Sequence, residues 1–206
     1  MIKDALFYSK ILLFGEYGII QDSMGLSIPY GAYRGELKFT EEVNAERTTS
    51  NQSLRTYLTF LKEESTNSLK HIKLDIQAFE ADLDKGMYFD SSIPQGFGVG
   101  SSGALVAAIY DRYATAKIID NAENPGKDEL VKLKETLGLM ESFFHGKSSG
   151  IDPLICYLRL PILIKGKQDI GTVGIPESGT GEGAIFLLNS GQPGETQPMV
   201  NIFMEK

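Results

Sequence analysis

The sequence predicts a soluble domain of mixed strand and helix, with part of a second domain after it. Three observations carry this. At 206 residues the chain is long enough to bury one good core. Its hydrophobic fraction of 42% and charged fraction of 23% are ordinary for a globular protein. Apolar residues recur at strand spacing in some stretches and at helix spacing in others.

The first half alternates between the two periods. Residues 5–14, ALFYSKILLF, predict a strand apolar enough to be buried on both faces, interrupted by Lys10. Residues 26–30 and 33–40 predict two further strands around a turn at Gly31. Leu54, Tyr57, Leu58 and Leu61 lie at i, i+3, i+4 and i+7, which predicts an amphipathic helix over 52–64. Strict alternation over 70–77, with His71 on the polar side, predicts a half-exposed strand. A turn and a short strand follow over 81–93.

The second half carries two longer helices. One runs from about Ser102 to Lys117, the other over 128–144 with Leu130, Leu133, Leu137 and Phe144 along one line. Residues 154–165, broken by Pro161, and 184–189 predict strands, and 174–183 is the best domain boundary. The last residues predict a loop that begins an apolar helix.

Composition narrows the function. A net charge of −7 argues against nonspecific binding to nucleic acid or acidic membranes. No stretch approaches the roughly 20 apolar residues of a membrane span. Cys156 is the single cysteine, so no internal disulfide can form; a reducing, cytoplasmic setting is expected.

Four polar features stand out against this background. Residues 94–104, PQGFGVGSSGA, place Gly96, Gly98 and Gly100 before Ser101, Ser102, Gly103 and an unbroken apolar run. A glycine loop that flows into a helix aims backbone N–H groups and the positive end of the helix dipole at one point, which suits phosphate; a flexible loop with a serine cap is the plain alternative. Lys10 lies on the first strand, as one half of a structural ion pair or as a working cation. Glu141 falls on the apolar face of its helix, where a carboxylate needs a salt bridge, a rim position or a metal. Asp152, followed by Pro153, is either a helix cap or a base. Together they meet the needs of phosphoryl transfer to an alcohol: a phosphate cradle, oxygens for Mg²⁺, a cation and a base. The chain has no GxxxxGK[ST] and no His/Cys cluster suited to zinc. The glycine loop fits a dinucleotide fingerprint poorly.

These segments resemble the GHMP kinases. PQGFGVGSSGA is similar to the second motif of that family, P-x-x-x-G-L-G-S-S-[AG]-A, with Val99 in place of Leu. SKILLFGEYGII resembles the first motif in its mevalonate-kinase form, K-x-x-L-x-G-E-H-x-V, and MESFFHGKSSGID resembles E-x-x-x-H-G-x-P-S-G-x-D. The resemblance implies an α+β fold: an N-terminal domain like domain 2 of ribosomal protein S5 over 1–180, then only the start of a ferredoxin-like C-terminal domain over 181–206. It implies ATP and Mg²⁺ as cofactors, with Pro94, Gly96, Gly98, Gly100, Ser101, Ser102 and Gly103 around the nucleotide and Ser102 and Glu141 on the metal. It implies Asp152 as the base, and Lys10 as its partner that lowers the pKa of the acceptor hydroxyl. Glu16, Tyr17, His145 and Ser149 fall near the acceptor, and residues 50–60 are the candidate for one adenine wall.

The implied function is ATP-dependent phosphorylation of a small-molecule alcohol, foremost mevalonate in isoprenoid precursor synthesis. The alternatives are another acceptor of the family (phosphomevalonate, a sugar or homoserine) and a non-catalytic ligand-binding regulator of the same fold. No nucleic-acid or membrane partner is expected, and a homodimer is allowed. Tyr17 for His, Asp22 for Gly and Ser148 for Pro depart from the motifs, the first and last at the acceptor side. The family's closing glycine loop has no match after Gly183. The chain is therefore expected to be a piece of a protein about 100 residues longer, able to fold without being active.

Overall fold

In a computed structural model, the described residues are 5–21, 23–42, 44–69, 72–119, 125–166, 168–174, 187–194 and 201–205. They form one antiparallel sheet, five α-helices, a 3-10 turn at Gly18–Gln21 and a short helical turn at 201–204. The strands are β1 (Phe7–Phe14), β2 (Gly25–Phe39), β3 (Met87–Ser91), β4 (Ile162–Gly166) and β5 (Asp169–Thr172). The helices are α1 (Ala45–Glu64), α2 (Ile76–Asp84), α3 (Ser101–Tyr113), α4 (Lys127–His145) and α5 (Ile151–Leu158).

β2 is the spine of the sheet. It pairs with β1 along most of its length, with β4 at Gly25–Ser27 and with β3 at Gly35–Phe39; β5 closes the sheet beside β4. The expected split into two strands at Gly31 does not occur. The register instead jumps, Tyr8 facing Arg34 and Ser9 facing Tyr30. The glycine therefore marks a bulge within one strand, not a chain reversal. Pro29 sits where β2 has only β1 beside it, so its missing N–H costs no ladder bond.

Two other strand expectations fail. In the stretch 70–77, Leu74 makes only an isolated bridge to Ala114. The Asp75 carboxylate accepts from the Ala78 N–H at 2.9 Å and starts α2, because a side-chain cap satisfies a helix N–H better than a short exposed strand would. His71 lies outside the described residues. In 154–165, the first half is α5 and only Ile162 onward is strand. The run LICYL is buried almost throughout, and a helix hidden on every side looks in sequence like a doubly buried strand. The cap of α5 is Gly150, so Asp152 stands in the first turn with its carboxylate uncommitted to capping. Pro153 fits there because first-turn N–H groups have no intrahelical partner.

α3 is the central helix. Gly103, Ala104, Val106, Ala107, Ala108, Ile109 and Tyr110 are all buried, as expected for a helix covered on most sides. One side meets Phe7, Ile93, Val99 and Cys156; the other joins the larger core built on Tyr57, Leu61, Phe79, Leu133 and Leu137. Of the expected C-terminal strand, residues 187–189 carry no strand and Leu188 is 93% exposed, while 184–186 lie outside the described residues. Residues 201–204 are helical, as expected. The expected boundary at 174–183 lies outside the described residues beyond Gly174.

The turn between α4 and α5 is pinned by close backbone contact. A Cβ on Gly150, whose φ is +75°, would stand 1.9 Å from the Lys134 carbonyl oxygen. Gly150→Ala is therefore expected to lower stability by about 3 kcal/mol. Gly31→Ala, with open space around it, should change stability by less than about 0.5 kcal/mol. Urea denaturation of both variants checks the contrast.

Candidate functional site

Four elements converge at the N-terminus of α3. β1 brings Lys10, whose backbone N–H donates to the Val99 carbonyl at 3.0 Å and so ties the glycine loop to the sheet. Gly96, Gly98 and Gly100 have φ of +80°, +69° and +84°, a region costly for other residues. Gly100 lies over the Lys10 stem: a Cβ there would meet Lys10 Cγ at 2.9 Å and Cys156 Sγ at 3.5 Å.

α5 supplies Asp152, whose Oδ1 is 3.1 Å from Lys10 Nζ. α5 comes this near because Gly103 of α3 has no side chain. A Cβ there would stand 2.9 Å from the backbone of Asp152 and Pro153. α4 supplies Glu141, 3% exposed. The Ser102 hydroxyl donates to Glu141 Oε1 at 2.9 Å and lies 3.1 Å from His145 Nε2. The Ser148 hydroxyl donates to Glu141 Oε2 and accepts from the Gly150 N–H.

Burial pushes the Glu141 carboxyl up to about 7, and the Asp152 charge adds to this; the Ser148 and Ser102 hydroxyls and Lys10 pull the other way. At neutral pH the group is poised between its two protonation states. Burial also holds the Cys156 thiol well above its ordinary value, which leaves it an apolar spacer under the loop.

All of this faces a cleft of about 1370 Å³. Pro94, Gly96, Gly98, Gly100, Ser101 and Ser102 line it, as do Lys10, Glu16, Glu141, His145, Ser149 and Asp152. Two expected residues lie elsewhere. Gly103 faces α5, and Tyr17, in the left-handed region at φ +59°, stacks its ring on Phe203 with centroids 5.7 Å apart. Asp22 lies outside the described residues. Of residues 50–60, Ser50, Ser53 and Leu54 reach the cleft and the rest do not. Sequence reasoning missed Thr49, Phe89 and Lys147 on the walls. A polar line on α1 at Thr49 and Ser53, four residues apart, was the available sign for the first of these. Among the described residues no group of three or more His, Cys, Asp or Glu is placed to hold a metal. Among the described residues no helix is long and apolar enough to cross a membrane.

Residues 60–159 match the family model "GHMP kinases N terminal domain". Among solved structures, the chain is similar to the mevalonate kinase of Methanococcus jannaschii: 17% identity over 84% of this chain and 56% of that one, TM-score 0.47. It is also similar to the L. major mevalonate kinase in complex with R-mevalonate (16%, 79% and 48%, TM-score 0.42). A third similar structure is the mevalonate kinase of methicillin-resistant Staphylococcus aureus (18%, 82% and 54%, TM-score 0.43). The chain spans about half the length of these solved proteins. No curated protein sequence matches it.

The raised Glu141 pKa has a stability consequence. The fold favours the protonated acid, so this contribution is full below about 4.5 and is lost as pH rises through about 7. In magnesium-free buffer with chelator, Glu141 should lower wild-type stability by about 3 kcal/mol across that window. Glu141→Gln should flatten the slope, as followed by urea denaturation from pH 4.5 to 8.

Proposed function

Since this chain carries the N-terminal domain of a GHMP kinase, we propose that it is the ATP-binding part of a small-molecule kinase. The reaction moves the terminal phosphoryl group of ATP to an alcohol, with mevalonate as the foremost acceptor and isoprenoid precursor synthesis as the setting. Residues 1–180 are read as the nucleotide-binding domain and 181–206 as the beginning of a second one. The observation that carries the reading is the Lys10–Asp152 pair at 3.1 Å, in one cleft with the glycine loop and the Ser102–Glu141 pair.

Each group has a task in that reaction. The turn at 96–102 offers backbone N–H groups and the α3 dipole to the phosphates. The residues present fit Mg²⁺: two hard oxygens, Ser102 Oγ and Glu141 Oε1, stand 2.9 Å apart, and such an ion keeps most of its shell as water and phosphate oxygen. When bound it offsets the charge gathered on the phosphates. Asp152 takes the proton from the acceptor hydroxyl as that oxygen bonds to the γ-phosphorus and ADP departs. Lys10 holds the Asp152 carboxylate in place and adds a positive charge beside the reacting oxygen. Glu16, His145 and Ser149 form the acceptor side of the cleft.

Position 17 bears on the choice of acceptor. The Tyr17 ring turns to Phe203 and leaves Glu16 facing the cleft. Phosphomevalonate, a sugar and homoserine therefore belong in the same screen as mevalonate.

The test is a coupled ADP-release assay on the full-length protein. Mevalonate should support turnover, and Asp152→Asn should lower kcat by about 10²- to 10⁴-fold with ADP affinity kept within about twofold. Turnover with a sugar but none with mevalonate would overturn the acceptor. An Asp152→Asn variant with full activity would overturn the base.

A further inference from the structure

One side chain on the cleft wall has no task in the reading above. Lys147 stands in the turn between α4 and α5, exposed, and lines the same cleft as the glycine loop. The turn that carries it is packed against α4 on its C-terminal side. Ser148, next in the chain, donates to Glu141. Gly150 is wedged against the Lys134 carbonyl, and a Cβ on Gly138 of α4 would meet the Ser148 carbonyl oxygen at 3.2 Å. The chain is thus anchored at Ser148 and Gly150, directly after Lys147.

The charges around the cleft give this position its meaning. Its walls carry four carboxylates, Glu16, Glu46, Glu141 and Asp152, against two lysines, Lys10 and Lys147. Lys10 is committed to Asp152. Among the described residues Lys147 makes no ion pair. Among the described residues lining the cleft it is the lysine with no ion pair, in a chain of net charge −7. An anion entering such a cleft is favoured at the helix N-terminus and at this ammonium, and disfavoured near the unpaired carboxylates.

We propose that Lys147 is an anion-binding residue of the cleft, its ammonium engaging an oxyanion of the bound substrates. The oxyanion is a phosphate of the nucleotide or an acidic group carried by the acceptor alcohol. A flexible four-carbon stem lets one ammonium reach either, as a point charge without the fixed fork of an arginine. This rests on the kinase reading only for the identity of the substrates, not for the binding of an anion.

The experiment uses the full-length protein with wild-type Lys147, Lys147→Met and Lys147→Arg. Tripolyphosphate and ATP binding are measured by titration calorimetry at low and high salt, and KM is measured separately for ATP and for acceptor. Lys147→Met should weaken one anion by about tenfold, the worth of one hydrogen bond to a charged group. It should also flatten the salt dependence, because the lost interaction is one that salt screens. Lys147→Arg should restore most of the affinity. A loss confined to tripolyphosphate and the KM for ATP assigns the ammonium to the nucleotide. A loss confined to the KM for an acidic acceptor assigns it to the acceptor. Unchanged binding, unchanged KM values and unchanged salt dependence in Lys147→Met would overturn the proposal, even with turnover intact. Lys147-dependent tripolyphosphate binding without any phosphoryl transfer would uphold it while overturning the kinase reading.

Discussion

The site depends on how closely α3 can pass its neighbours. At Gly103 the helix lies against the backbone of Asp152 and Pro153, and at Gly100 the chain lies over the stem of Lys10. A methyl group at Gly103 would force α5 outward, and one at Gly100 would displace the Lys10 stem. The Lys10–Asp152 pair would then open, and Ser102 would leave Glu141. The alanines behind these glycines, Ala104, Ala107 and Ala108, let the rest of α3 sink as deeply. The contact at Gly103 is with backbone and lacks the slack of a flexible side chain, so the approach of α5 is set by main chain rather than by rotamers.

That closeness has an electrostatic result. It gathers two carboxylates, buried Glu141 and half-buried Asp152, near one buried ammonium. One ion pair forms, and the second carboxylate is satisfied by hydroxyls rather than by charge. Hydroxyls compensate a buried anion only partly, which is why Glu141 titrates near neutrality while remaining hydrogen-bonded at both oxygens.

Much of this was legible in the sequence, and the unread parts share a cause. The alternate glycines at 96, 98 and 100 marked a turn whose φ values demand glycine. The helical spacing of Leu130, Leu133 and Leu137 placed Glu141 on the buried face. Three-dimensional proximity was a different matter. Nothing in the order of residues states that Ser148 reaches Glu141 or that α1 forms a wall of the cleft, since both depend on how helices far apart in sequence pack. The misread elements, 70–77 and the first part of 154–165, are short, the one an alternating stretch and the other an apolar run. There the strand and helix periods fit equally well, and capping by Asp75 and Gly150 decided the outcome. Gly31 was read as a reversal because a bulge and a turn use the same residue.

The central claim concerns the fate of a phosphoryl group in this cleft, and the most direct measurement follows that group. Full-length protein, Mg²⁺ and γ-labelled ATP are incubated with each acceptor, and the products are separated. Phosphoryl transfer to an alcohol requires the label to appear in a phosphate ester of the acceptor, with ADP formed in equal amount. Label recovered only as inorganic phosphate, or left on ATP with every acceptor, would contradict it.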